Sequence, residues 1–211
     1  MPKTFDEIQK SFVASARISG AKTNTPVVVA MVGVTGAGNS TLARALKKLT
    51  GWDAIEKNKV RVTLREKGRG FTPQTTDQIH YAMLAKILKG GGNAILDSDF
   101  AEKSKRRKLE RFARRFRARV LYLHLACDRD VMLKRILRAR YNPETDIFKS
   151  AVVALREHSR RLLWHYRWSE ANGGTLSPKR FPVKFFAEID TTRPAVWKKK
   201  IGLVAKRLKK L

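Results

Sequence analysis

The sequence predicts a three-layer αβα domain, in which helices cover both faces of a parallel five-stranded sheet. Three observations carry that prediction. A β-branched run, Val27-Val28-Val29-Ala30-Met31-Val32, passes through a glycine-rich turn directly into a helical pattern. Short apolar runs then alternate with helical segments along the chain, and strands joined through helices require right-handed crossovers and a doubly covered sheet. Finally, 211 residues with 43% hydrophobic content suffice for one α/β domain and its core.

The elements follow in order. Thr4 and Glu7 have capping-box spacing, and Phe5, Ile8, Phe12 and Val13 recur at roughly helical intervals, so a short leading helix is expected. Ser19 to Pro26, polar and containing Gly20, reads as a linker into the strand Val27–Val32. After the turn, Ser40 to Leu49 places Leu42, Ala45, Leu46 and Leu49 at helical period and stops at Gly51. Thr72-Pro73 opens a second helix with Ile79, Met83 and Ile87 on one stripe, and Gly90-Gly91-Gly92 closes it.

Ala94-Ile95-Leu96-Asp97 is the next strand, followed by a helix over about Glu102 to Arg117 with Leu109, Phe112, Ala113 and Phe116 inward. Val120 to Leu125 is again a strand. Asp130 to Arg140 reads as a basic helix broken at Tyr141-Asn142-Pro143, and Ile147 to about Trp168 as a longer helix. Gly173 to Pro182 reads as a loop, Phe185 to Asp190 as the last strand and Ala195 to Leu211 as the last helix. The expected organisation is a leading helix and linker over 1–26 and a main domain over 27–192 with a lid near 138–150. A basic amphipathic helix over 193–211 is expected to pack on that domain.

Forty-six Lys and Arg against eighteen Asp and Glu give a net charge of +28. That excess points toward a polyanionic partner, yet a phosphate-rich small substrate or a generally basic surface leaves the same signature. A single cysteine, Cys127, excludes an intrachain disulfide and a cysteine zinc cluster, and it suits a reducing compartment. With no signal-like stretch and no run of eighteen apolar residues, a cytoplasmic address and no transmembrane segment are expected.

Chemistry concentrates in Gly33-Val34-Thr35-Gly36-Ala37-Gly38-Asn39-Ser40-Thr41. Its glycines and final hydroxyls follow the phosphate-binding P-loop pattern, with Asn39 where the pattern has lysine. Glycines let successive backbone N–H groups converge on phosphate oxygens at a helix N-terminus. Gly33, Gly36, Ala37, Gly38, Asn39, Ser40 and Thr41 are therefore the expected nucleotide contacts, with Ser40 suited to magnesium. The missing ammonium would neutralise charge as the phosphoryl group transfers, which a neutral amide imitates only in part.

Taken together, Gly33 to Thr41, Thr72-Pro73, Ala94 to Asp97 and the arginine-bearing helix Asp130 to Arg140 resemble the AAA_33-like P-loop kinases over about residues 27–192. That group includes polynucleotide five-prime kinases and the zeta-toxin-like and adenylylsulfate-type kinases. The resemblance implies an adenylate-kinase-like P-loop NTPase fold, ATP and magnesium as cofactors, and phosphoryl transfer to a hydroxyl acceptor. It also implies a catalytic Asp where Ile55-Glu56-Lys57-Asn58-Lys59-Val60-Arg61 places Asn58, with Arg61 at the acceptor. Asn58 cannot act as a general base. A shift of one or two residues in that match would make Asp53 or Glu56 the substitute.

By the same resemblance Asp97 is the acid near magnesium, with Asp99 on the same face if the strand continues, and Arg135, Arg138 and Arg140 belong to the lid. Arg138 is taken as the lid arginine beside Asn39, Asn58 and Arg61 in the catalytic set. Two basic faces, 103–119 and 198–210, are candidate RNA or DNA contacts. The alternative is thus a noncatalytic nucleic-acid-binding scaffold. His80, His124, His158 and His165 lack metal-ligand spacing and read as structural histidines, and Trp164, Tyr166 and Trp168 as core or interface residues.

Overall fold

Val27–Val32 forms β1, and every one of its residues is buried. Its side chains alternate between two cores, Val28, Ala30 and Val32 facing one and Val27, Val29 and Met31 the other. An unbroken apolar strand is what a parallel sheet covered on both faces requires. A computed structural model describes residues 4–17, 22–144, 146–170 and 174–211. Ser19 to Ala21 of the expected linker, Thr145 of the expected lid and Gly173 of the expected loop lie outside the described residues.

The leading helix is α1, Phe5–Ser15, and its capping box is formed: the Thr4 amide donates to Glu7 Oε2 at 2.7 Å and the Glu7 amide to Thr4 Oγ1 at 3.3 Å. From β1 the chain enters α2, Asn39–Thr50, which ends at Gly51 in the left-handed region, φ 76°. Next come β2, Asp53–Glu56, and α3, Lys57–Glu66. Helix α4, Pro73–Lys89, begins at Thr72 with Pro73 in its first turn. Strand β3, Ala94–Asp99, precedes α5, Lys103–Arg114, β4, Arg119–Ala126, and α6, Arg129–Arg138. The remainder is α7, Ala151–His165, β5, Tyr166–Ser169, β6, Thr175–Pro178, β7, Phe185–Asp190, and α8, Pro194–Leu208.

The main sheet has five strands in the order β2-β3-β1-β4-β7, with every pairing parallel, as the alternation predicts. It is the three-layer arrangement of P-loop NTPases. Helices α1, α3, α4 and α5 bury Ile8, Val60, Ile79 and Leu109 on one face, while α2 and α8 bury Leu42, Leu46, Ile201 and Leu208 on the other. Because β1 ends between β3 and β4, the carboxyl ends of β1 and β3 open into one crevice.

Two expectations change. The long helix expected to reach Trp168 stops at His165, and Tyr166–Ser169 instead pairs antiparallel with Thr175–Pro178 of the expected loop. Bulky residues such as Tyr166 and Trp168 suit a strand as well as a helix, and the pairing partner decides. Strand β3 does not run straight either: Ala30 pairs with Leu96 but Met31 pairs with Asp99, so Asp97 and Ser98 bulge out of register. The bulge gives Asp97 and Asp99 different neighbours within one site. Among the described residues no helix is long and apolar enough to cross a membrane.

Candidate functional site

The turn between β1 and α2 is held from outside by its carbonyls. Gly33 O accepts from Asn39 Nδ2 at 2.6 Å, Thr35 O from His158 Nδ1 at 2.7 Å, and Ala37 O from the Thr191 hydroxyl at 2.7 Å. Arg135 Nη1 adds a longer bond to Gly36 O at 3.4 Å. With these carbonyls engaged by α2, α6, α7 and the end of β7, and with the Gly33 amide donating to Asp99 and the Ala37 amide to Val34 O, the turn is fixed where it lines the crevice. The first amides of a helix have no intrahelical acceptor, so the start of α2 adds its own donors and positive dipole end.

Gly36 and Gly38 occupy the left-handed region at φ 92° and 97°. At Gly36 space is also tight, since a Cβ would lie 3.2 Å from the Met132 carbonyl oxygen. Gly36→Ala is therefore expected to cost about 1–3 kcal/mol and to weaken phosphate binding. Urea unfolding checks the first effect and nucleotide titration the second.

Asn39 points back into the loop rather than out of it. Its amide nitrogen closes on Gly33 O, while Oδ1 is buried with no partner. Gly33 makes this possible: a Cβ there would stand 2.5 Å from Asn39 Oδ1. The side chain at the lysine position therefore ties the turn shut, and it carries no charge.

Across the crevice, Asp97 and Ser40 line the same cavity. Burial, opposed by the Ser40 hydroxyl and Arg44 and aided by the Glu56 charge, leaves the Asp97 carboxyl raised to about 6. A hydroxyl and a carboxylate lining one cavity are hard oxygen donors, so this pair fits a magnesium ion. Because the folded pKa exceeds the unfolded one, the folded chain holds a proton that the unfolded chain has lost between about pH 4 and 6. Stability of the ligand-free protein should fall by roughly 2–3 kcal/mol as pH rises through that window. Asp97→Asn should flatten that fall and abolish any effect of magnesium on nucleotide binding, as melting curves across pH would check.

Asp99 is buried and accepts from His165 Nε2 at 2.9 Å, the Ala101 amide at 3.0 Å and the Gly33 amide at 3.4 Å. From one face of α7 and two turns apart, His158 reaches the loop directly and His165 reaches it through Asp99. Nothing in their spacing suggests metal, and among the described residues no metal-holding cluster occurs. The signal available in the sequence was this seven-residue interval.

A cavity of about 410 Å³ joins the loop to Lys57, Asn58, Arg61, Asp97, Asp99, Lys105, Arg135, Phe148 and Arg161. Asn58 lies in the first turn of α3 and accepts from Arg61 Nη1 at 3.3 Å. Glu56 faces the neighbouring groove with Ser40, Asn58 and Asp97, whereas Asp53 sits at the other end of β2, bonded to Lys47 and the Arg17 amide at 2.9 Å each. Arg138 is exposed and does not line the cavity; Arg135 does, and Arg140 lines the adjoining groove. Lys57, Lys105 and Arg161 line the candidate site and were missed by sequence reasoning, because their side chains converge only through tertiary packing.

On the expected basic faces, Arg107, Arg111, Arg114 and the cations Lys198, Lys199, Lys200, Lys209 and Lys210 are exposed. Arg106 is instead buried against the Phe100 and Ala101 carbonyls, and Lys105 turns into the cavity.

The AAA_33 family model, described as an AAA domain, matches residues 28–162. A candidate kinase from Chloroflexus aurantiacus superposes with a TM-score of 0.61 at 18% identity, covering 87% of this chain and 98% of that one. The Mycobacterium tuberculosis APS kinase, solved with AMPPNP and APS, gives 0.53 at 11% identity, covering 88% and 96%. A gluconokinase from Sinorhizobium meliloti gives 0.51 at 16%, covering 89% and 95%. These identities establish shared architecture only. No curated protein matches the chain.

Proposed function

Because the chain belongs to the AAA_33 family and has the kinase-like P-loop NTPase fold, we propose that it binds ATP with magnesium at Gly33 to Thr41 and transfers the terminal phosphoryl group to a hydroxyl acceptor. The observation that carries this reading is the loop between β1 and α2, its Thr35 and Ala37 carbonyls held by His158 and Thr191, which lines one cavity together with Ser40 and Asp97.

In this reading the loop amides hold the phosphate oxygens, and Ser40 and Asp97 hold magnesium. When bound, the ion neutralises charge between the terminal phosphates. Arg61 and Asn58 orient the acceptor, and Arg135 keeps the loop in place from the lid side. The acceptor oxygen forms its bond to the γ-phosphorus as the bridge to the β-phosphate breaks, leaving ADP; the acceptor's proton departs to solvent or to the phosphoryl oxygens. Asn58 takes no proton, and a loose transition state demands little of a base. With neutral Asn39 in place of an ammonium, turnover should be about a hundred to a thousandfold below that of a lysine-bearing site.

Calorimetric titration with ATP at low salt tests the proposal. Binding should strengthen with magnesium, and Ser40→Ala should remove that gain; no binding in the presence of magnesium refutes it. A noncatalytic scaffold on polynucleotides is the second reading, favoured by the inward Asn39 amide and the exposed cations of α5 and α8. It requires salt-sensitive polynucleotide binding that survives Ser40→Ala.

A further inference from the structure

The wall of the cavity opposite the loop carries more positive charge than its own carboxylates offset. Lys57, Arg61, Lys105 and Arg161 all line it. Each nearby acid is shared or local: Asp77 bridges Lys57 and Lys108, Glu157 bridges Arg160 and Arg161, and Glu102 pairs with Lys105. Arg61 makes no ion pair among the described residues; its guanidinium donates to neutral Asn58. Asp97 and Asp99 also face the cavity, but Asp99 is taken up by His165 and the loop amide, and the two carboxylates are outnumbered by the cations that line it.

These cations are not merely solvated. The Lys57 and Arg161 side chains are only 14% and 17% exposed, and the Nε atoms of Arg61 and Arg161 are buried with no acceptor. Burial and then the neighbouring Arg161 charge press the Arg61 guanidinium below its ordinary value, so the two guanidiniums repel across a partly dry space. Arg161 has Glu157 beside it but Arg61 has no ion pair among the described residues, and an oxyanion placed between the two would relieve the repulsion and give the orphaned donors an acceptor. Arg135, whose guanidinium is taken up by Thr191 O and Gly36 O, belongs to the loop side rather than to this group.

We propose that the hydroxyl acceptor is a small molecule bearing an oxyanion, a carboxylate or a phosphate, seated between Arg61 and Arg161 with Lys57 and Lys105 on its flanks. The proposal rests on the phosphoryl-transfer reading for the acceptor's hydroxyl. The anion site itself is independent of ATP. A planar guanidinium pair matches the two oxygens of either group, and Trp164 supports the arrangement by lying under Lys105 at 4.8 Å and Arg161 at 5.8 Å.

The test is a melting screen of the full chain, with and without ATP and magnesium, against a panel of hydroxy-carboxylates, phosphorylated alcohols, uncharged polyols and a five-prime-hydroxyl oligonucleotide. The carboxylate or the phosphate arm should raise the melting temperature, and its strongest compound should bind at least about tenfold more weakly to Arg61→Gln and Arg161→Gln. ATP is scored separately in the same melts. If ATP has no effect, the nucleotide reading fails while the anion arms still report on this site. Stabilisation by polyols alone, or by neither anion arm, overturns the proposal. So does an oxyanion response that survives both substitutions while the ATP response is lost, since the guanidiniums then serve the nucleotide. Oligonucleotide binding that Arg107→Ala with Arg111→Ala abolishes, and that Arg61→Gln spares, would assign the anion preference to the α5 surface and overturn it too.

Discussion

Asn39→Lys combined with Asn58→Asp is expected to raise phosphoryl transfer by about a hundred to a thousandfold over the native chain. At Asn39 the native amide nitrogen is bonded to Gly33 O at 2.6 Å, and the side chain brings no charge to the crevice. A lysine there has the length to leave that carbonyl and extend along the loop to the terminal phosphates, where its charge acts on the transition state. At Asn58 the side chain already lies within reach of Arg61 at 3.3 Å, so an aspartate would gain an ion pair as well as a basic oxygen. Asn39→Lys alone should account for most of the gain. Single-turnover measurements with labelled ATP, across carboxylate, phosphate and uncharged acceptors, check it. An unchanged rate in the double variant would favour the scaffold reading.

The second large effect is on stability. Asp99→Ala is expected to destabilise the fold by about 3–5 kcal/mol. One carboxylate receives the His165 ring nitrogen and the Ala101 and Gly33 amides, all in a buried setting. Removing it orphans each of those donors, and each lost partner carries a desolvation penalty. Because the Gly33 amide opens the phosphate turn, nucleotide affinity should fall with stability. Urea unfolding of Asp99→Ala, His165→Ala and the double variant gives the coupling; independent losses that simply add would contradict a shared bond.

The fold was legible because its strands and helices obey local rules. The run Val27–Val32 could only be a doubly buried strand, and Thr72-Pro73 and Gly51 mark helix ends by backbone chemistry that needs no tertiary context. The end of α7 was not legible in this way. Tyr166 and Trp168 continue a helical period, and only pairing with Thr175–Pro178 turns them into a strand.

The loop side of the site was equally readable from the spacing of Gly33 to Thr41. The acceptor side was not, since Lys57, Lys105 and Arg161 sit on α3, α5 and α7 and meet only in three dimensions. Within a chain of net charge +28, no single cation stands out as functional. Burial distinguishes them: Arg107 and Arg111 are exposed, whereas Lys57 and Arg161 turn inward. The orientation of Asn39 was likewise invisible, because its identity gives the loss of charge but not the bond to Gly33 O.

The most direct measurement is a crystal structure of the native chain with magnesium and a nonhydrolysable ATP analogue. The account predicts triphosphate oxygens on the loop amides, magnesium between Ser40 and Asp97, and the Asn39 amide still on the Gly33 carbonyl. An Asn39 side chain rotated onto the terminal phosphate, or a triphosphate bound elsewhere on the basic surface, would contradict it.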